Sequence, residues 1–178
     1  MARLEGKIAM VTGAAQGIGK GIALEYAKEG ADVALMDLQE EKLAETEAEI
    51  KKLGRRAFSF VGNVAEEENV ISFVNKTAEE YGRIDILTHA AGILRSCPIV
   101  DQEVKDWDTV IAVNLRSTFL FCKYVGGQMK KQQGGAMVLI DSCASKTGEA
   151  FNAVYCASKA GVRLVAQSFA LEVAQYGI

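Results

Sequence analysis

The chain is 178 residues long, 49% apolar and 24% charged, and carries a net charge of −3. That length suits one domain with its own core over residues 1–178, and the mild acidity, with no basic stretch interleaved with aromatics, argues against nucleic acid as the main partner. No run approaches the roughly eighteen unbroken apolar residues of a membrane span, and the start, "MARLEGKIAMVTG", lacks the apolar centre and cleavage site of a secretory signal, so a cytoplasmic location is expected.

The first apolar run, "KIAMV" at 7–11, reads as a buried strand and leads straight into "TGAAQGIG" at 12–19. Glycines at 13, 17 and 19 remove side chains where the chain turns sharply, and they let backbone approach an anion at the N-terminus of the helix expected over 17–29. The spacing is G-x-x-x-G-x-G rather than G-x-G-x-x-G, and the alternative is a tight turn with no ligand. Its place in the first βα turn favours a dinucleotide pyrophosphate.

The second strand, "DVALM" at 32–36, ends at Asp37. A carboxylate there accepts from both adenosine ribose hydroxyls and repels a 2′-phosphate, and no Arg or Lys stands at 14–16 or 38 to offset that repulsion. NAD(H) is therefore expected over NADP(H). The alternative for Asp37 is a cap of the helix expected over 40–53.

The third strand, "AFSFV" at 57–61, precedes Asn63 and Val64 and a helix over 66–80. The fourth, "IDILT" at 84–88, precedes His89, Ala90, Ala91 and Gly92. Beyond a loop with the single proline, Pro98, come a long helix over about 103–131, a fifth strand "AMVLI" at 136–140 and a last helix over 152–175. Strand and helix alternate throughout, with connections long enough for right-handed crossovers, so the fold class is α/β: a doubly wound parallel sheet of Rossmann type. Apolar residues spread around most of the last two helices, which suggests burial against both the sheet and another subunit, as a homodimer or homotetramer.

Tyr155 and Lys159 stand one turn apart on the last helix, so both project from one face. A phenol is a poor base at neutral pH, but a neighbouring ammonium favours its phenolate and makes it usable as a general acid/base. Ser142 lies just beyond the fifth strand, where a hydroxyl can hold a substrate oxygen. A Tyr and a Lys at this spacing also occur by chance on many helices. The single histidine and the four cysteines, Cys97, Cys122, Cys143 and Cys156, lack zinc-site spacing, so no metal is expected. The cysteines read as packing residues in a reducing compartment, with Cys143 and Cys156 next to Ser142 and Tyr155 as candidate points of chemical inactivation.

Taken in order, "TGAAQGIG", "GNV", "HAAG", "VNLRSTF", "IDSCAS" and "YCASK" resemble the classical short-chain dehydrogenase/reductase family over essentially the whole chain. The resemblance implies that Tyr155 exchanges a proton with a substrate hydroxyl or carbonyl while hydride passes to or from nicotinamide. It implies that Lys159 binds the nicotinamide ribose, that Ser142 orients the substrate oxygen, and that Asn114 holds a water linking Lys159 to solvent. Gly13, Gln16, Gly17, Ile18 and Gly19 would line the pyrophosphate and ribose, Asp37 would take the adenosine ribose, and Asn63 and Val64 would flank adenine. Ala91 and Gly92 would carry the backbone past the cofactor, which Tyr155 and Lys159 also touch.

The chain departs from the family pattern at three places. Asn63-Val64 replaces Asp-Val, and His89-Ala90-Ala91-Gly92 replaces Asn-Asn-Ala-Gly, where His89 is expected to be a structural substitute and not a base. The chain stops at "VAQYGI", where the family continues into further strands and a substrate loop, so it reads as the amino-terminal part of such an enzyme, with an exposed fifth strand. The expected function is NAD(H)-dependent interconversion of a small secondary alcohol, polyol or sugar hydroxyl and its ketone. The alternatives are a dinucleotide-binding or scaffolding fragment without turnover, and a family member that epimerises or dehydrates.

Overall fold

The computed structural model describes residues 2–178. Five strands, β1 (Ile8–Thr12), β2 (Asp32–Asp37), β3 (Ala57–Val61), β4 (Ile86–His89) and β5 (Ala136–Leu139), form one sheet in the order β3-β2-β1-β4-β5, and all neighbouring pairs are parallel. Parallel strands need long crossovers. These are supplied by α1 (Gly17–Lys28), α2 (Glu40–Lys52), α3 (Glu67–Tyr81), and the consecutive helical segments α4 (Val104–Val110), a π segment (Ile111–Arg116) and α5 (Ser117–Gln132). A final helix, α6 (Ala153–Val173), follows β5.

Alternation along the central strands divides the core into two layers. Met10, Ala34 and Met36 face α3 and α5 through Phe73, Phe121 and Val125, while Val11, Val33 and Leu35 face α1 and α2 through Ala23, Leu43 and Ile50. Because both faces are covered, β1 is apolar and buried from Ile8 to Val11 without a polar interruption. Each fully buried large side chain in these layers contributes about 1.5–3 kcal/mol, which holds the central strands rigid under the site.

Two expectations need revision. The fourth strand runs over Ile86–His89, not 84–88, because the backbone of Ile84 is taken by a side chain: its N–H donates to Gln132 Oε1 at 3.0 Å, and its carbonyl accepts from Gln132 Nε2 at 2.8 Å. The long helix is continuous in direction but carries the π segment at its centre, where Ser117 N–H reaches back to the Ala112 carbonyl. π segments of this kind often mark functional sites, and this one contains Asn114.

The chain leaves β1 toward β2 on one side and enters β4 on the other, so the strand order reverses between β1 and β4. Ligands of open α/β sheets bind outside the C-terminal strand ends at such a reversal. Register brings Thr12, Met36 and His89 level there, with His89 opposite Leu139 and Asp37 opposite Val61. β5 is hydrogen-bonded on one side only, and Val138 on it is 43% exposed. Among the described residues no helix is long and apolar enough to cross a membrane.

Candidate functional site

At the strand reversal lies a cleft of about 480 Å³, lined by Gly13, Gln16, Gly17, Ile18, Gly19, Asp37, Asn63, Val64, Ala91 and Gly92 together with Leu38, Gln39, Gly62, Ala90, Ile93 and Val113. The first ten are the residues singled out in the sequence for the body of a dinucleotide, and they come from four separate βα turns. The three glycines of the first turn do different work. Gly13 has φ +66°, and a Cβ there would meet Ala91 N at 2.9 Å, so it is the point where the first turn touches the fourth. At Gly19 a Cβ would come within 2.1 Å of the Gly13 carbonyl oxygen, which lets α1 start flush against β1. Gly17 has φ +57° and no atom within 4 Å of the Cβ position, so it presents bare backbone to the open cleft.

Asp37 is half-buried at this rim and accepts from two backbone amides, Ala15 N to Oδ2 at 3.1 Å and Gln39 N to Oδ1 at 3.1 Å. It thus ties the glycine turn to the start of α2. Capping of α2 does not account for it: the N-cap is Gln39, and that cap has no side-chain hydrogen bond. Asn63, which lines the cleft, uses Oδ1 to accept from Ala65 N at 3.0 Å, which holds its own turn, and its amide nitrogen has no protein acceptor among the described residues.

His89, 3% exposed, ends β4 just before Ala90, which lines the cleft. Its Nδ1 lies 2.7 Å from Thr12 Oγ1, and its Nε2 lies 2.8 Å from Ser117 Oγ. Ser117 donates its own proton to the Val113 carbonyl, so the Nε2–H is the donor to Ser117 and Nδ1 accepts from Thr12. Thr12 Oγ1 in turn accepts from Ala90 N and Ala91 N, both at 3.2 Å. A single imidazole therefore braces β1, the turn after β4 and the start of α5. Burial first, and the charge of Lys159 second, push its pKa down to about 3, so it stays neutral.

This has a pH consequence. With the folded pKa depressed below the unfolded value of about 6.5, the unfolded chain binds the extra proton first, so stability is full above that value and is lost as pH falls toward the folded pKa. Between pH 7 and 5 this one group should cost about 2 kcal/mol. Urea midpoints at the two pH values measure the loss, and His89→Asn should lack that increment; an unchanged pH slope in the variant would contradict the assignment.

Tyr155, Lys159 and Ser142 are not among the residues that line this cleft; Tyr155 and Lys159 project from the first turns of α6, with Lys159 Nζ 5.9 Å from the centroid of the Tyr155 ring, and Lys159 adjoins the cleft at Gly92. Lys159 is 6% exposed, and its ammonium donates to the Ile140 carbonyl at 2.6 Å, the one acceptor it has among the described residues. An ammonium has three donors, so two remain for a partner. Burial lowers its pKa, against which Asp141 acts. Gly92 lies beside it: a Cβ there would stand 3.8 Å from Lys159 Nζ and 3.4 Å from Asn114 Oδ1.

Ser142, half-buried, accepts from Ala144 N at 3.2 Å, and its hydroxyl lies 4.0 Å from Cys143 Sγ, a weak contact that an outward acceptor can replace. The neighbouring loops are tied across the mouth by Ser96 Oγ to Asn152 Oδ1 at 2.7 Å and by Cys97 N to the Phe151 carbonyl at 2.8 Å. Phe151 takes a left-handed backbone, φ 67°, and its ring is 61% exposed. Cys143 is exposed next to Ser142, and Cys156 is half-buried.

The Asn114 side chain is engaged by the protein: Oδ1 accepts from Ile93 N at 2.8 Å, and Nδ2 donates to the Ile93 carbonyl at 2.9 Å and to Ser158 Oγ at 3.0 Å. The amide is a clamp on the strand leaving Gly92. Its backbone carbonyl accepts from Thr118 Oγ1 at 2.8 Å. Thr12, Ser117 and Ser158 were invisible as site residues in the sequence, since each acts through partners distant in the chain.

A family model described as short chain dehydrogenase matches residues 7–178. A D-threitol dehydrogenase from Mycolicibacterium smegmatis is 40% identical over 176 residues, covering 99% of this chain and 68% of the relative. A 3-oxoacyl-(acyl-carrier-protein) reductase from Thermotoga maritima is 39% identical over 172 residues, 97% of this chain and 70% of that one. Among solved structures, an NAD+-bound xylitol dehydrogenase superposes with a TM-score of 0.96 at 34% identity, covering 99% of this chain and 68% of the other.

Proposed function

Because this chain belongs to the short-chain dehydrogenase family, we propose that it is an oxidoreductase exchanging hydride between NAD(H) and a small secondary alcohol, polyol or sugar hydroxyl and the matching ketone. One observation carries the reading: an open, glycine-lined cleft adjoins, at Gly92, a buried lysine with donors to spare that stands beside a tyrosine. A nicotinamide dinucleotide fits these residues. The bare backbone at Gly17 and the amides around Gln16, Ile18 and Gly19 suit a pyrophosphate at the start of α1. Asp37 retains lone pairs for ribose hydroxyls, and Asn63 and Val64 suit the adenine edge. Bound there, the nicotinamide supplies the hydride acceptor or donor.

The chain's own residues handle the proton and the orientation. Tyr155 takes the proton from the substrate hydroxyl in oxidation and returns it to the carbonyl oxygen in reduction. Lys159 donates its spare hydrogens to ribose hydroxyls and offsets negative charge developing on the tyrosine oxygen. Ser142 donates to the substrate oxygen and stabilises its developing charge. The clamp made by Asn114 fixes Gly92 and Ile93 against α6, and a water on the Asn114 carbonyl would pass protons from Lys159 outward.

A hydroxylated substrate is favoured by the polar groups at the mouth, Ser96, Asn152 and Glu149, which bond to one another where a chain of hydroxyls would lie. Two relatives are named for polyols, D-threitol and xylitol. The test is incubation with NAD and a series of four- and five-carbon polyols, following NADH by absorbance. Stoichiometric NADH with a ketone product is expected. Saturable NADH binding without turnover on any member would replace the proposal by a binding role, and substrate loss without NADH would point to epimerisation or dehydration.

A second copy of the chain is proposed to cover α5 and α6. Phe119 is 53% exposed, Leu164 62% and Leu171 84%, and an open cavity of about 530 Å³ lies between the two helices. Sedimentation at micromolar concentration should give a dimer or larger species; a monomer would overturn this part. Exposed free Cys143 fits a reducing compartment, and we place the protein in the cytoplasm on that ground.

A further inference from the structure

Lys42 lies on the first turn of α2, five residues beyond Asp37, and its side chain is not turned toward solvent alone. Its ammonium donates to Gln16 Oε1 at 3.0 Å and to Gln39 Oε1 at 2.8 Å. Both glutamines line the dinucleotide cleft, Gln16 from the glycine turn and Gln39 from the turn after Asp37. The same two segments hold the Asp37 carboxylate, through Ala15 N and Gln39 N. The rim of the cleft therefore holds a carboxylate and an ammonium, each anchored to the same pair of turns.

The charge on Lys42 is available. Lys20 pairs with Glu49, Lys28 with Glu25 and Lys51 with Glu47, whereas Lys42 makes no ion pair among the described residues and is held by two neutral amide oxygens. Its acidic neighbours in the first turn of α2, Glu40 and Glu41, do not bond to it. Two of its three donors are used, and the third is free for an anion. Amide oxygens orient an ammonium without neutralising it.

We propose that Lys42 is a specificity-determining residue of this cleft: it offsets Asp37 toward a dinucleotide bearing a 2′-phosphate, so that the site admits NADP(H) as a second cofactor behind NAD(H). The inference rests on the proposed dinucleotide site and adds the residue that sets its selectivity. Asp37 alone would exclude the phosphate by repulsion at the ribose it binds. With a cation held across the same rim, the two charges act in opposition, and selectivity follows their balance.

The experiment is a set of fluorescence titrations of the full chain with NADH and NADPH, for wild type, Lys42→Met and Lys42→Arg, at low and high salt. The expected result is NADH binding tighter than NADPH in wild type, and an NADPH-to-NADH affinity ratio that falls about tenfold, or about 1.4 kcal/mol, in Lys42→Met but is kept in Lys42→Arg. Salt should weaken NADPH more than NADH in wild type, and this excess should vanish in Lys42→Met. Equal weakening of both cofactors in Lys42→Met would make Lys42 a mere prop of the glutamines and overturn the proposal. So would normal NADH binding with no detectable NADPH binding in wild type. Failure of wild type to bind either dinucleotide, with neither fluorescence curve saturating, would instead overturn the underlying site and this inference together.

Discussion

Tyr155→Phe is expected to reduce turnover by at least about 10²–10⁴-fold, the range lost with a general acid/base, while NADH affinity stays within about threefold. The two halves of this result have separate origins. The phenol oxygen is the atom assigned to carry the substrate proton, and no neighbouring group can replace it: His89 is buried and neutral, both its nitrogens already bonded to Thr12 and Ser117. Cofactor affinity, in contrast, is assigned under the proposal mostly to the glycine turn, Asp37 and Lys159, which the variant leaves intact. Stability should be nearly unchanged, because the Tyr155 hydroxyl makes no protein hydrogen bond among the described residues, and the ring remains. Steady-state rates, NADH titration and a thermal melt on the same material measure all three. Wild-type turnover in the variant would remove Tyr155 from the mechanism.

The glycine turn gives the second large effect, through a comparison of two alanines. Gly19→Ala places a methyl 2.1 Å from the Gly13 carbonyl oxygen and 2.7 Å from its carbon, both backbone atoms that cannot rotate away. α1 must shift from β1, at a cost of about 1–3 kcal/mol, and NADH affinity should fall about tenfold for each 1.4 kcal/mol of binding lost. Gly17→Ala meets no atom within 4 Å and suffers only from its φ of +57°, about 1–2 kcal/mol. Its methyl, however, points into the open space assigned to the pyrophosphate. The expected pattern is loss of NADH binding in both variants, with the Gly17→Ala loss produced by blockage and not by repacking. If Gly17→Ala folds and binds NADH as wild type does, the phosphate lies elsewhere.

Much of this was legible in the sequence because the signals were local. Short apolar runs mark β1 and β2, which are buried on both faces and so need no polar alternation. Three glycines directly after β1, and an acid at the end of β2, place the cleft before any coordinates are known. Features made by long-range partners were not legible. The fourth strand began two residues late because the side chain of Gln132, 48 positions away, occupies the backbone of Ile84. The π segment has no signature of its own within a long helical run, although it is what carries Asn114 to Ile93 and Ser158.

His89 shows the difference most clearly. Its departure from the family's asparagine is visible in the sequence, and a structural role could be expected from it. Its tautomer could not, since that follows from Ser117, the first residue of α5, donating to Val113 in the π segment. Lys42 is a second case: inspection of positions 14–16 and 38 misses it, because α2 must form before its side chain can reach back 26 residues to Gln16.

The cleft between β1 and β4 is proposed as a nicotinamide dinucleotide site, and a fluorescence titration of the wild-type chain with NADH tests that proposal. The account expects one saturable site per chain, reversed by added adenosine monophosphate, which competes for the Asp37 end. A linear, unsaturable signal from correctly folded protein would contradict it.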